Sequence, residues 1–161
     1  MTAARTITLP TVEDTLALGA RLAAAVVPGL RLNLLGDLGA GKTTLVRGLV
    51  RALPGGAQAR VKSPTYALCH SYATTPRLWH VDLYRLSGGA VVETLGVFDP
   101  VGPDDVTVTE WADRAPGLLQ DALTITMAGD GDGPRTATLE ARGGTAEGVL
   151  AALGQGGGWV G

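Results

Sequence analysis

The chain has 161 residues, with 13 lysines and arginines against 15 aspartates and glutamates, a formal net charge of −2. That length suits one domain with a real core, and a near-balanced charge without a long basic run excludes a surface that traps DNA or RNA directly. One cysteine, Cys69, and two histidines, His70 and His80, exclude an internal disulfide and a zinc cluster, and neither a membrane-spanning apolar stretch nor a signal-peptide core is visible, so the expected location is cytoplasmic. In chain order, Thr6 to Leu9 reads as a short edge strand ended by Pro10. Thr11 with Asp14 forms a capping box for a helix whose buried face is Leu16, Leu18, Leu22, Ala25 and Val26, stopped by Pro28-Gly29. Leu30 to Leu35 reads as a mostly buried strand, and Leu45, Val46, Leu49, Val50 and Leu53 recur at helical spacing until Pro54-Gly55-Gly56. Tyr66 to Tyr72 and Leu78 to Asp82 are expected to pair as a hairpin, and Ala90 to Leu95 makes a short helix. Val106 to Glu110 is a strand, Ala112 to Gln120 a helix or turn, Leu123 to Met127 and Arg135 to Ala141 a second hairpin, and Thr145 to Leu153 a last helix. One domain over residues 1–153 is expected, followed by a flexible glycine-rich tail over 154–161.

Between the second strand and second helix stands Gly36-Asp37-Leu38-Gly39-Ala40-Gly41-Lys42-Thr43, a complete phosphate-binding loop. Glycines at Gly36, Gly39 and Gly41 let the backbone wrap closely enough for its N–H groups to face phosphate oxygens, reinforced by the positive end of the following helix. Lys42 would reach the β- and γ-phosphates, the Thr43 hydroxyl would sit on a magnesium ion, and Thr44 would prolong the helix start. The bland alternative, a glycine-rich turn, explains neither the lysine nor the hydroxyl.

Hydrolysis requires groups that hold magnesium and aim a water. Glu110 and Asp82 each end a strand, where parallel sheets place ligands; Glu110 stands as a Walker B acid, and Asp82 could bind magnesium through water or orient the attacking water. The alternative for Asp82 is a helix cap or an ion pair with Arg85, and for Glu110 an exposed strand end. Ser63-Pro64-Thr65 could return over the phosphates and sense them through a hydroxyl, or be an ordinary turn entering a strand.

The loop, Val61-Lys62-Ser63-Pro64-Thr65-Tyr66, His80-Val81-Asp82-Leu83-Tyr84-Arg85-Leu86 and Glu110-Trp111 together resemble the bacterial TsaE (YjeE) family, the ATPase component of tRNA threonylcarbamoyladenosine synthesis. The resemblance implies a single-domain α/β P-loop NTPase fold with a mixed, mainly parallel central sheet flanked by helices. It also implies ATP and Mg2+ as ligands, and a weak, partner-dependent ATPase that supports turnover by a TsaD-TsaB type complex and meets tRNA only through that complex. By carry-over Lys42 and Thr43 serve phosphate and magnesium, Thr65 is a switch hydroxyl, Asp82 and Glu110 are the functional acids, and Trp111 lies near the nucleotide. Thr15 matches a segment near the base. Gly88-Gly89-Ala90 departs from the family's more charged helix start, and no motif follows Trp111. Two other readings share the loop. A small-molecule P-loop kinase should add an arginine-rich lid, which is not visible, and a nucleotide-sensing module would hydrolyse little. No guanine-selecting Asn-Lys-X-Asp string is present.

Overall fold

Strand β1 (Ala3–Leu9) leads through the Thr11–Asp14 capping box into helix α1 (Val12–Ala25), where the Thr11 hydroxyl accepts from the Asp14 N–H and the Asp14 carboxylate accepts from the Thr11 N–H at 2.9 Å. These elements belong to a computed structural model that describes residues 3–64, 67–86, 88–129 and 131–154. Strand β2 (Arg31–Leu35) then enters the glycine loop, which opens helix α2 (Lys42–Ala52). Strands β3 (Cys69–Tyr72) and β4 (Leu78–Asp82) form the expected hairpin, followed by the short helix α3 (Gly89–Thr94) and strand β5 (Val106–Glu110). Two 3-10 turns, Ala112–Arg114 and Pro116–Leu119, occupy the stretch read as helix or turn. Strands β6 (Leu123–Ala128) and β7 (Arg135–Ala141) pair antiparallel, and helix α4 (Gly144–Gly154) closes the described chain.

The seven strands form one sheet in the order β1-β7-β6-β2-β5-β4-β3. Its centre, β6-β2-β5-β4, is parallel throughout, and antiparallel partners are added at both edges. β1 and the four central strands run one way while β7 and β3 oppose them, so the sheet is mixed and mainly parallel. This parallel centre brings the carboxyl ends of β2, β4 and β5 to one edge, the place where open α/β sheets bind ligands. Strand β3 starts only at Cys69, because Leu68 takes a positive φ of 63° and breaks the extended run before it; Tyr66, the start expected from sequence, lies outside the described residues. The glycine-rich tail lies outside the described residues beyond Gly154.

Alternation gives each strand two faces. Leu32 and Leu34, Leu78, Val106 and Val108 join the main core with Leu18 and Leu22 of α1, Leu45, Val46, Leu49 and Val50 of α2, and Val149 and Leu150 of α4. Val81, on the opposite face, belongs to a smaller cluster with Leu83, Val92, Val97 and Ala115. Trp79 is pinned on that face by its indole N–H, which donates to Asp105 at 2.8 Å. This bond and the Gly102 N–H hold the Asp105 carboxyl below its usual value.

Helices α1 and α2 meet backbone to backbone through glycines. A β-carbon on Gly48 would lie 2.3 Å from the Leu16 carbonyl oxygen, and one on Gly19 would lie 2.5 Å from the Leu45 carbonyl oxygen. Gly48→Ala is therefore expected to destabilise the protein by about 1–3 kcal/mol, although alanine outranks glycine in isolated helices by about 1 kcal/mol. Thermal unfolding checks this, since a melting temperature equal to or above the unaltered protein's would mean that α1 and α2 can separate without cost.

Candidate nucleotide site

Helix α2 begins with an unusual cap. Gly41 occupies the N-cap position at φ 98°, a left-handed conformation, and has no side chain with which to satisfy the first-turn N–H groups. Those donors, with the helix dipole, are suited to an anion. The loop's approach is equally restrictive at its start, where a β-carbon on Gly36 would lie 2.4 Å from the Met127 carbonyl oxygen of β6. Asp37, Leu38 and Gly39 are exposed at the tip, whereas Ala40 is buried under it and Thr44 is half-buried on α2. Thr15 of α1 is buried behind the loop, its Cγ2 lying 3.9 Å from where a Gly41 β-carbon would be.

Lys42 is only 5% exposed, and its ammonium donates to the carbonyl oxygens of Gly36 and, at 3.2 Å, Asp37. The same Nζ stands 4.1 Å from the centroid of the Trp111 ring. Trp111 reaches that position because it leaves β5 at φ 60°, and its ring packs against Tyr84 at 5.1 Å between centroids. Burial pushes the Lys42 ammonium below its usual 10.5, opposed by the charges of Glu110, Asp82, Asp37 and Asp113. The free protein should therefore lose affinity for a polyphosphate as pH rises, before 10.5 is reached. Lys42's contribution to stability moves the other way. Between its lowered value and 10.5 the unfolded chain binds more protons than the folded one, so this contribution grows with pH across that window. Fluorescent-nucleotide titrations and thermal melts across alkaline pH check the pair, and affinity that stays flat up to 10.5 would contradict it.

The two strand-end acids come together as the register requires. Asp82 is paired with Glu110 across β4 and β5, and Glu110 with Leu34 across β5 and β2, directly before the loop. Glu110 is 2% exposed, so it is no exposed strand end. Its Oε1 lies 3.4 Å from the Thr43 hydroxyl. Ser63 joins both acids, donating to Asp82 Oδ2 at 2.5 Å and approaching Glu110 Oε2 at 3.3 Å. Asp82 Oδ1 accepts the Tyr84 N–H at 2.9 Å, closing a local turn and not a helix cap. Thr65, the switch hydroxyl expected from sequence, lies outside the described residues.

Sequence reasoning passed over three residues here. His80 is fully buried with Nε2 2.6 Å from Glu110 Oε2. Its signal was alternation, since His80 stands two residues before Asp82 and so on the same face of β4. Ser63 stands in the candidate phosphate-sensing segment, but the hydroxyl expected there from sequence is that of Thr65. Arg135, at the start of β7, donates to the Gly39 carbonyl at 3.0 Å and to the Gly131 and Gly133 carbonyls at 2.7 Å, tying the β6–β7 turn to the loop.

A hydroxyl and two carboxylates form a hard oxygen set that fits magnesium, which takes one or two carboxylates and leaves other positions to water and phosphate. Among the described residues no group of three or more His, Cys, Asp or Glu that could hold a metal ion occurs. Thr43, Glu110 and Asp82 are the residues that could hold it. A separate cleft of about 980 Å³ lies on the opposite face of the sheet, bordered by Asn33, Thr107, Thr109 and Val92, and contains none of these groups.

The profile of the family described as threonylcarbamoyl adenosine biosynthesis protein TsaE matches residues 9–137. The chain belongs to the TsaE family. It is 37% identical to the tRNA threonylcarbamoyladenosine biosynthesis protein TsaE of Bacillus subtilis over 134 residues, covering 81% of this chain and 82% of that one. The Haemophilus influenzae protein of the same name is 42% identical over 88 residues, a match spanning 54% of each chain and so about half the length of that relative. The crystal structure of Bacillus subtilis YdiB superposes with a TM-score of 0.75 at 29% identity, covering 96% of this chain and 97% of that one. The family thus has a P-loop α/β fold, and its members are named for tRNA threonylcarbamoyladenosine biosynthesis.

Proposed function

We propose that the chain binds ATP with Mg2+ at the loop, hydrolyses it slowly, and acts as an accessory subunit of tRNA threonylcarbamoyladenosine synthesis beside TsaD-like and TsaB-like proteins. One observation carries the nucleotide reading: the uncapped start of α2, with Lys42 and Thr43, faces the paired strand-end acids Asp82 and Glu110. The pathway comes from the names of the relatives.

In this reading the N–H groups of Gly36 to Thr44 and the Lys42 ammonium bind the phosphates. Thr43, Glu110 and Asp82 hold the cation, and Asp82 or Glu110 orients the attacking water. When bound, magnesium supplies charge neutralisation at the phosphates. Trp111 would lie beside the nucleotide, a role its contact with Lys42 supports, Thr15 would lie near the base, and Thr65 remains the proposed switch hydroxyl. tRNA is met only through those subunits, and residues 1–153 act as one domain in the cytoplasm.

The test is a reconstituted modification reaction with purified partner subunits, tRNA and ATP. Omitting the chain should stop repeated turnover, and adding Lys42→Ala should not restore it. Full modification with Lys42→Ala would remove the ATP-dependent role.

A further inference from the structure

His80 sits inside the sheet, fully buried, behind the acid nearest to Thr43. Glu110 is itself almost fully buried, and a buried carboxylate needs donors. Its two oxygens have different surroundings. Oε2 takes His80 Nε2 at 2.6 Å and Ser63 Oγ at 3.3 Å, whereas Oε1 is turned to the Thr43 hydroxyl at 3.4 Å.

The other ring nitrogen identifies the donor. His80 Nδ1 is buried with no hydrogen-bond partner among the described residues. An N–H stranded there would carry a desolvation cost that a bare lone pair largely avoids. The hydrogen therefore belongs on Nε2, which donates it to Glu110. The β4–β5 register supports the arrangement, because His80 is paired with Val108 and Asp82 with Glu110, which puts His80 diagonally behind Glu110 on the same face.

We infer that His80 is a positioning residue for the cation site: by occupying Glu110 Oε2 from within the sheet, it holds Oε1 toward the cation beside Thr43. This rests on the Mg2+–ATP reading above. Residues that hydrogen-bond a ligating carboxylate set its orientation, and their loss costs about 10–100-fold in metal affinity. Asp82 is anchored differently, by Ser63 and the Tyr84 N–H, so His80 acts on one acid of the pair.

The test compares His80→Leu, which keeps bulk without a donor, with His80→Gln, whose amide N–H can reach toward Glu110. Fluorescent ATP analogue binding is measured with and without Mg2+, alongside Mn2+ binding by electron paramagnetic resonance and thermal melts. The expected result is that His80→Leu raises the Mg2+ or Mn2+ concentration needed by about 10-fold or more while metal-free nucleotide affinity is unchanged, and that His80→Gln restores most of the loss. Metal requirement within about twofold of the unaltered protein, or an equal loss with and without metal, would overturn the inference. If His80→Leu does not fold, 15N spectra of the unaltered protein decide, since His70 is exposed and readily told apart from His80. A hydrogen on Nε2 supports the role, and a hydrogen on Nδ1 with none on Nε2 overturns it. Nucleotide binding by the unaltered protein that ignores Mg2+ would remove the underlying reading too. Metal-dependent binding with an unaffected His80→Leu would remove this inference alone.

Discussion

Lys42→Ala is expected to weaken ATP binding by about 100-fold and to remove detectable hydrolysis. Lys42 is buried at the first turn of α2, and without nucleotide its ammonium is spent on the Gly36 and Asp37 carbonyls and on the Trp111 ring. Hydrogen bonds to charged groups are worth about 1.5–3 kcal/mol each, and about 1.4 kcal/mol is tenfold in affinity. Two such bonds to phosphate oxygens would exceed 100-fold, but part of that gain replaces the bonds Lys42 already makes within the loop. Lys42→Arg should not rescue, because a planar fork does not fit a buried place shaped around a compact ammonium. Calorimetric titration, with a thermal melt to confirm folding, checks this. Affinity within about threefold of the unaltered protein would mean that Lys42 does not touch the phosphates.

Glu110→Ala is the second large expectation. Hydrolysis should fall on the order of 100- to 1,000-fold, the scale of removing one electrostatic group aimed at developing charge. Stability should fall as well, since truncation leaves His80 Nε2 without its acceptor inside the sheet. Glu110→Gln separates the two effects. It keeps the volume and one oxygen, so it should fold nearly as well while remaining a poor ATPase. Asp82→Ala should also slow hydrolysis, and the double replacement should cost less than the sum, because Ser63 donates to Asp82 and lies beside Glu110. Phosphate release measured for each variant decides the matter, and normal rates for both Asp82→Ala and Glu110→Ala would reject the acid assignments.

What could be read from the sequence was mostly local or periodic. The loop is a contiguous pattern with a strand before it and a helix after it, and Leu45, Val46, Leu49 and Val50 of α2, with Leu53 just past its end, are all buried. Asp82 and Glu110 stood out because each ends an apolar strand, and parallel pairing then sets them side by side. Contacts that depend on register or on helix crossing were not legible in this way. His80 reaches Glu110 only once β4 and β5 are aligned, Arg135 reaches Gly39 across 96 residues, and Gly19 and Gly48 matter because α1 and α2 touch through their backbones. Leu68 and Trp111 take positive φ without being glycine, so nothing in their identity announces the break ahead of β3 or the turn that lays the indole on Lys42.

We propose that the glycine loop and the two strand-end acids form one Mg2+–ATP site. A crystal structure with Mg2+ and a non-hydrolysable ATP analogue tests it most directly. The expected result is the triphosphate on the N–H groups at the start of α2, Lys42 withdrawn from the Gly36 and Asp37 carbonyls onto phosphate, and the cation between the Thr43 hydroxyl and the Asp82–Glu110 pair. A nucleotide seated instead in the cleft beside Asn33 and Thr109, or a cation held away from Thr43 and both acids, would contradict it.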